Sequence, residues 1–216
     1  MRFVSSFASF ALIAASAPAP AATAAPAHGG GLVRVRFTTS EGPVVIAVDT
    51  RHAPKTSANF LAYVDDGRFN GVTFYRSARS RNEQTKGFVQ GGIRTDARRI
   101  LPPFPLETTA MTGLHHLDGT ISMARRAEAG SAGGNFFITV GPMPTMDAHP
   151  GSPGYAAFGH VVSGMPTIHR ILAKPTGGGM GGQLLLHPVQ LVSAVRLDGK
   201  PRPTGMVKPW LMKTHS

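Results

Sequence analysis

Phe74-Tyr75-Arg76, Phe88-Val89-Gln90-Gly91-Gly92 and Asn135-Phe136-Phe137-Ile138 are the stretches around which this chain of 216 residues is organised. Each sets one or two polar groups beside aromatic or apolar residues at strand spacing, where successive side chains point to opposite faces. An arginine and two side-chain amides among phenylalanines predict a cleft that grips an apolar ring and hydrogen-bonds a peptide around it. The rest of the chain reads as the scaffold that brings these strands together.

Upstream of them, Leu32 to Thr38 alternates Val33, Val35 and Phe37 against Arg34, Arg36 and Thr38, a strand with one buried and one wet face. Ser40-Glu41-Gly42-Pro43 is turn chemistry and Val44 to Val48 is rich in β-branched residues, so a hairpin is predicted. A helix follows, with Pro54 in its first turn, where a missing N–H costs nothing. Ser57, Phe60, Leu61 and Val64 make its inner face and Gly67 its C-terminal cap. Val72 to Tyr75 and Phe88 to Gly91 read as strands, and the polar, basic Ser77 to Lys86 as the loop between them.

Downstream, Ile100 to Leu106 holds three prolines and is expected to be extended, outside any central strand. Thr120 to Met123, Asn135 to Val140, Phe158 to Val162 and Val189 to Leu197 read as strands, and Pro142 to Gly154 as a long irregular loop. Gly164-Met165-Pro166 opens a second helix with Ile168, Ile171 and Leu172 inward. About eight strands and two short helices predict a mainly β fold, a closed eight-stranded antiparallel barrel capped by two short α-helices. Such a barrel is filled by its own side chains, so a ligand site belongs on its outer face or rim.

Composition bounds the rest. With 42% hydrophobic and 15% charged residues the chain buries one core and is expected to form one domain, residues 32–200. The formal charge of +11 invites a nucleic-acid reading, but its placement weakens that. Residues 76–99 hold seven basic and two acidic residues and residues 196–216 five and one, which together account for nine of the eleven charges. No nucleic-acid partner is expected; a weak contact with anionic surfaces stays open. Arg2, the apolar run from Phe3 to Ala15 and Ala22-Thr23-Ala24 read as a signal peptide over residues 1–24, too short for a membrane span. Residues 25–31 then form a flexible tether and 201–216 a basic tail. The absence of cysteine removes any disulfide framework. A periplasmic or secreted protein is expected.

Nine histidines are scattered, and only His115-His116 adjoin. Adjacent residues point apart on a strand, so they make no two-ligand face. No metal or cofactor is expected. The glycine run 177–182 lacks the Lys-Ser/Thr of a phosphate loop, and no G-x-S-x-G elbow exists.

The order APKTSANFLAYV, GVTFYR, QGG, PLETT, DGTISMAR, NFFITV and FGHVV resembles a cyclophilin-type peptidyl-prolyl cis–trans isomerase in a bacterial exported form, over about Leu32 to Leu197. The resemblance implies a proline groove on the barrel's outer face and proline-containing segments of unfolded or exported proteins as partners. Arg76 matches the family's catalytic arginine, and Gln90 the glutamine that holds substrate backbone beside it. Phe137 matches the pocket floor, Phe88 an apolar residue against the ring, Ala124 a small residue that leaves room for substrate, and Tyr155 a pocket-lining position. Asn135 stands where the family has a second glutamine, one methylene longer. Gly87 falls on the position of a pocket phenylalanine, and the family's groove tryptophan has no counterpart, Thr145 or Met146 lying nearest. Gly87 and Asn135 favour the alternative reading, a catalytically weak proline-peptide-binding chaperone module, while Arg76, Gln90 and Phe137 favour catalysis.

Overall fold

The computed structural model describes residues 31–212. The expected signal peptide, all of the tether except Gly31, and the last four residues of the tail lie outside them. The barrel strands are β1 (Leu32–Thr39), β2 (Gly42–Asp49), β3 (Val72–Arg79), β4 (Gly87–Gly92), β5 (Thr120–Met123), β6 (Asn135–Val140) and β7 (Ala156–Ser163). A two-residue strand β8 (Thr176–Gly177) pairs with the thirteen-residue β9 (Leu184–Arg196). The order β1-β2-β7-β5-β6-β4-β3-β9 returns to β1, and every pairing is antiparallel. The eight-stranded closed barrel is therefore as the sequence predicts.

Among the described residues four short helices attach to it: α1 (Pro54–Asp65), α2 (Thr109–Thr112), α3 (Met165–Ala173) and α4 (Gly179–Gly182). The two longer ones are those expected. The other two are single turns, too short to show an apolar period in the sequence. α1 buries Ser57, Phe60, Leu61 and Val64, and α3 buries Ile168, Ile171 and Leu172, the inner faces read from spacing. Gly67 follows α1 with φ +69°, the left-handed conformation that ends helices. The start of α1 is capped from far away: Glu107 accepts from Lys55 N (3.1 Å), Thr56 N (2.7 Å) and Thr56 Oγ1 (2.7 Å). A carboxylate there meets orphan N–H groups and the positive end of the helix dipole together.

Phe37, Phe60, Phe69, Phe74, Phe136 and Phe158 are fully buried and fill the barrel. Phe136 meets Phe60, Phe69 and Phe74 edge to face, at interplanar angles of 87°, 82° and 86°, the arrangement that ring quadrupoles favour. With the interior closed by rings, a peptide can bind only outside it.

Two spans differ from expectation. β3 runs on through Ser77, Ala78 and Arg79, a stretch whose polarity had suggested a loop. Ser77 is buried because its hydroxyl donates to the Leu172 carbonyl of α3 at 2.6 Å, so tertiary packing satisfies the polar group. β9 starts five residues early, at Leu184, because it rejoins β3 opposite Arg76 after an irregular stretch that holds Pro188.

The described part of the tail packs on the barrel. Arg202 N donates to Asp65 (2.9 Å), and Thr204 donates to Asp66 through N (2.8 Å) and Oγ1 (2.6 Å). Trp210 lies over Arg68 and Arg99, their Cζ atoms 4.6 and 5.4 Å from the ring centroid. Arg68 is almost wholly buried and paired with Asp66 at 2.8 Å. Its Nη2 has no hydrogen-bond partner among the described residues, which leaves the indole face to meet that part of the cation. No helix among the described residues is long and apolar enough to cross a membrane.

Candidate active site

Plain alternation would send Tyr75 to the opposite side from Arg76. Instead β3 carries a bulge: Phe74 pairs with Gly91 and Arg76 with Gln90, so Tyr75 is left over. Phe74 stays in the core, while Tyr75 and Arg76 both reach the side chains of the outer face.

There a hydrogen-bond chain forms. Tyr75 Oη donates to Asn135 Oδ1 (3.3 Å) and accepts from Gln90 Nε2 (2.8 Å). Gln90 Oε1 accepts from Arg76 Nη1 (3.0 Å). The other edge of the guanidinium is held by Gln183, whose Oε1 accepts from Nε (2.9 Å) and Nη2 (2.6 Å). An arginine has five N–H donors, and these bonds commit three, leaving one on each terminal nitrogen. Arg76 also lies over the Phe88 ring at 4.9 Å.

Apolar residues complete the patch. Phe137 sits opposite Gln90 in the β4–β6 ladder. Its ring has Phe88 tilted beside it at 5.3 Å and Tyr155 perpendicular at 5.4 Å. His116 stacks on it, centroids 5.7 Å apart and planes at 11°. His116 is itself tied down, with Nδ1 2.5 Å from Asp147 Oδ1 and Nε2 2.9 Å from Ser122 Oγ. His115 reaches the same carboxylate, its Nδ1 2.9 Å from Asp147 Oδ2. The two histidines thus differ in burial yet converge on one acid, because they lie in a loop and not on a strand. Among the described residues no cluster of three or more His, Cys, Asp or Glu could hold a metal ion.

Electrostatics keep the site in one protonation state near neutrality. Burial pushes the Tyr75 hydroxyl up to about 12, against the opposing pull of the Gln90 hydrogen bond and of Arg76 and Arg94. Burial lowers Arg76 from its ordinary value, and a guanidinium remains charged all the same. Burial also lowers His116, with Asp147 opposing. For Asp147 burial works upward, but the hydrogen bonds from both histidines outweigh it and hold the carboxyl below 3.8.

Arg76, Gln90, Phe88, Phe137 and Tyr155 therefore share one outer patch. Ala124 lies at its margin, its N–H donating to the Asn135 carbonyl at 2.9 Å. Asn135 has other work: its Oδ1 takes Arg94 N–H (2.7 Å) and its Nδ2 donates to Arg94 O (2.9 Å). This clamp holds Arg94 in the left-handed region, φ +57°. Gly87 is required by the backbone, since a Cβ there would lie 2.0 Å from the Ala78 carbonyl oxygen and its φ is +145°. Phe88 is the ring that β4 supplies to the patch. Sequence reasoning missed Tyr75, His116 and Gln183. Tyr75 adjoins Arg76, but nothing local marks the bulge; Gln183 follows a glycine run and carries no signal.

Residues 34–195 match the family described as "Cyclophilin type peptidyl-prolyl cis-trans isomerase/CLD". Peptidyl-prolyl cis-trans isomerase A of Dickeya dadantii is 38% identical over 139 residues, 63% of this chain and 70% of that protein. A peptidyl-prolyl cis-trans isomerase of Acinetobacter baylyi is 32% identical over 168 residues, 77% of this chain and 87% of that protein. The crystal structure of a cyclophilin type peptidyl-prolyl cis-trans isomerase of Cryptosporidium parvum, in the presence of the dipeptide Ala-Pro, superposes with a TM-score of 0.63. It is 21% identical and covers 77% of this chain and 99% of its own, a likeness of fold.

Proposed function

The chain belongs to the cyclophilin-type peptidyl-prolyl cis–trans isomerase family and is such an isomerase, and from that premise we propose that Arg76 stabilises the twisted X–Pro amide. Rotation about the bond meets a barrier of about 18–20 kcal/mol from amide resonance. Lowering it needs no nucleophile, only a group that binds the twisted amide better than either planar form. In the twisted state the prolyl nitrogen regains a lone pair and accepts a hydrogen bond. Arg76 has an uncommitted N–H on each terminal nitrogen to supply it.

The observation that carries this reading is the pinning of Arg76 between Gln90 and Gln183, over the Phe88 ring that adjoins Phe137, with no carboxylate paired to it among the described residues. A donor fixed before the reaction costs no reorganisation during it. Phe137, Phe88 and Tyr155 take the prolyl ring. Gln90 keeps one N–H beyond its bond to Tyr75, free to hold a substrate carbonyl. Ala124 leaves room for the peptide backbone.

The activity serves exported proteins in this reading. Its support is the charged start, apolar run and A-x-A site of residues 1–24, which direct the chain to the periplasm or outside the cell. N-terminal sequencing of the protein from its native host tests this; a chain that keeps residue 1 and stays in the cytoplasm overturns it.

The decisive experiment compares cis-to-trans exchange of a short X–Pro peptide with the chain from Ala25 and with Arg76→Ala. Loss of the donor is expected to slow turnover about a hundredfold or more. A variant as fast as the parent refutes the role of Arg76. The engagement of Asn135 by Arg94, which removes one substrate contact, favours the second reading, a holding module. That reading predicts peptide binding by both proteins with acceleration by neither.

A further inference from the structure

Three aromatic rings of the outer face each carry a guanidinium. Arg76 lies over Phe88 at 4.9 Å, Arg94 over Tyr75 at 5.5 Å and Arg125 over Tyr155 at 5.1 Å. A cation resting on a ring is held at the surface by the ring's quadrupole and does not stray into solvent. The Arg125 guanidinium is also fixed by backbone carbonyls, and Arg94 is held at its main chain. The Asn135 amide clamps Arg94, and Arg125 donates to the Gly154, Arg126 and Ala127 carbonyls at 2.8, 2.9 and 3.0 Å.

Among the described residues none of the three forms an ion pair. Of the carboxylates around the patch, Asp96 is engaged by Arg98 and Arg99, Asp147 by two histidines and Glu83 by Lys86, while Glu128, in the loop of Arg125, forms no ion pair among the described residues and offsets only part of the charge. Like charges gathered on one face with too little counter-charge repel one another and set up a positive field, which an anionic ligand relieves. Arg76 has the reacting amide as its target in the reading above. Arg94 and Arg125 have none.

Their distance from the pocket says what they fit. Phe137 to Tyr155 is 5.4 Å, and Tyr155 to Arg125 another 5.1 Å. On the other side Gln90, opposite Phe137, bonds Tyr75, over which Arg94 lies. Arg125 is thus at most about 10 Å from the ring that takes proline, Arg94 is reached from that ring through Gln90 and Tyr75, and an extended peptide rises about 3.3 Å per residue. We propose that this groove selects acidic proline segments, peptides with Asp or Glu two or three residues from the proline, on the Arg94 side, the Arg125 side or both. The proposal rests on the isomerase reading of the same site.

The test is a matched peptide series around one neutral X–Pro core. Glu, Gln or Lys is placed two and three residues before or after the proline, and both kcat/KM and the dissociation constant are measured at low salt. Partly exposed charge pairs imply that Glu exceeds Gln, and Gln exceeds Lys, by about three- to fivefold at each step. The advantage should vanish near 1 M salt, where the Debye length is about 3 Å. Arg94→Gln with Arg125→Gln should bring the Glu-to-Lys ratio close to one whatever the absolute rate, while Arg94→Lys with Arg125→Lys should keep it. Equal values for the three peptides at low salt overturn the proposal. So does a ratio that survives the glutamine variant or is lost in the lysine one. If the glutamine variant does not fold, the parent's peptide ratios and their salt dependence decide. If even the neutral peptide is not turned over, the isomerase reading fails by itself, and the dissociation constants decide selectivity.

Discussion

Replacing Gln183 by alanine removes the acceptor of two of the three hydrogen bonds that orient Arg76, those from Nε (2.9 Å) and Nη2 (2.6 Å). Hydrogen bonds to a charged group are worth about 1.5–3 kcal/mol each. Arg76 is only half-buried, so water will replace most of that energy and the folded state should barely weaken. What water does not replace is direction. The bond from Nη1 to Gln90 survives, and around that one anchor the guanidinium can swing out of reach of the prolyl nitrogen. If the donor is aligned about a tenth of the time, the barrier rises by about 1.4 kcal/mol and kcat falls about tenfold. This is less than the loss expected for Arg76→Ala, which removes the donor altogether. Exchange of an X–Pro peptide followed by NMR gives the rate, and thermal melting confirms that the fold is intact. On an Arg76→Ala background Gln183→Ala should cost nothing further, because the residues act as one unit. An unchanged kcat in Gln183→Ala, or a full tenfold loss on the Arg76→Ala background, refutes the claim that Gln183 works through Arg76.

The cap of α1 gives a stability prediction separate from activity. Glu107→Ala strands two buried or half-buried backbone donors and the Thr56 hydroxyl, and is expected to cost about 1–3 kcal/mol of unfolding free energy, read as a lowered denaturant midpoint, with kcat retained; an unshifted midpoint counts against it. Acid should act on the loop behind Phe137. His116 lies below 6.5 and Asp147 below 3.8 in the folded chain, so in both cases the unfolded chain takes up protons first as pH falls. Stability is then full above about pH 6.5, declines as pH drops through the depressed histidine value, and declines again below 3.8. A melting temperature that rises between pH 7 and pH 5, or a His116→Asn variant with the parent's decline over that range, speaks against it.

Much of the site was legible because strand alternation is local. Phe88 and Gln90 fall on one face of β4, and Phe137 and Phe136 on opposite faces of β6, by counting along the strands, whereas Arg76 leaves the face of Phe74 only through the bulge. What counting could not see came from long-range contact. The polar Ser77 reads as loop until α3 offers it a carbonyl. Asn135 reads as a shortened substrate contact until its amide is seen closed around Arg94. Gly87 reads as a lost pocket wall until the Ala78 carbonyl is found where a side chain would begin.

By itself the sequence determined the eight barrel strands, the inner faces of α1 and α3, and the inward Phe37 and Phe60, since period and turn chemistry act within about ten residues. Only the tertiary structure decided that Tyr75 joins Arg76 across a bulge, that Glu107 caps α1, that Trp210 covers Arg68, and that Gln183 holds Arg76 from 107 residues away. Closing the barrel brings such residues together, and it does so through pairings between distant strands, a constraint that no short window of sequence contains.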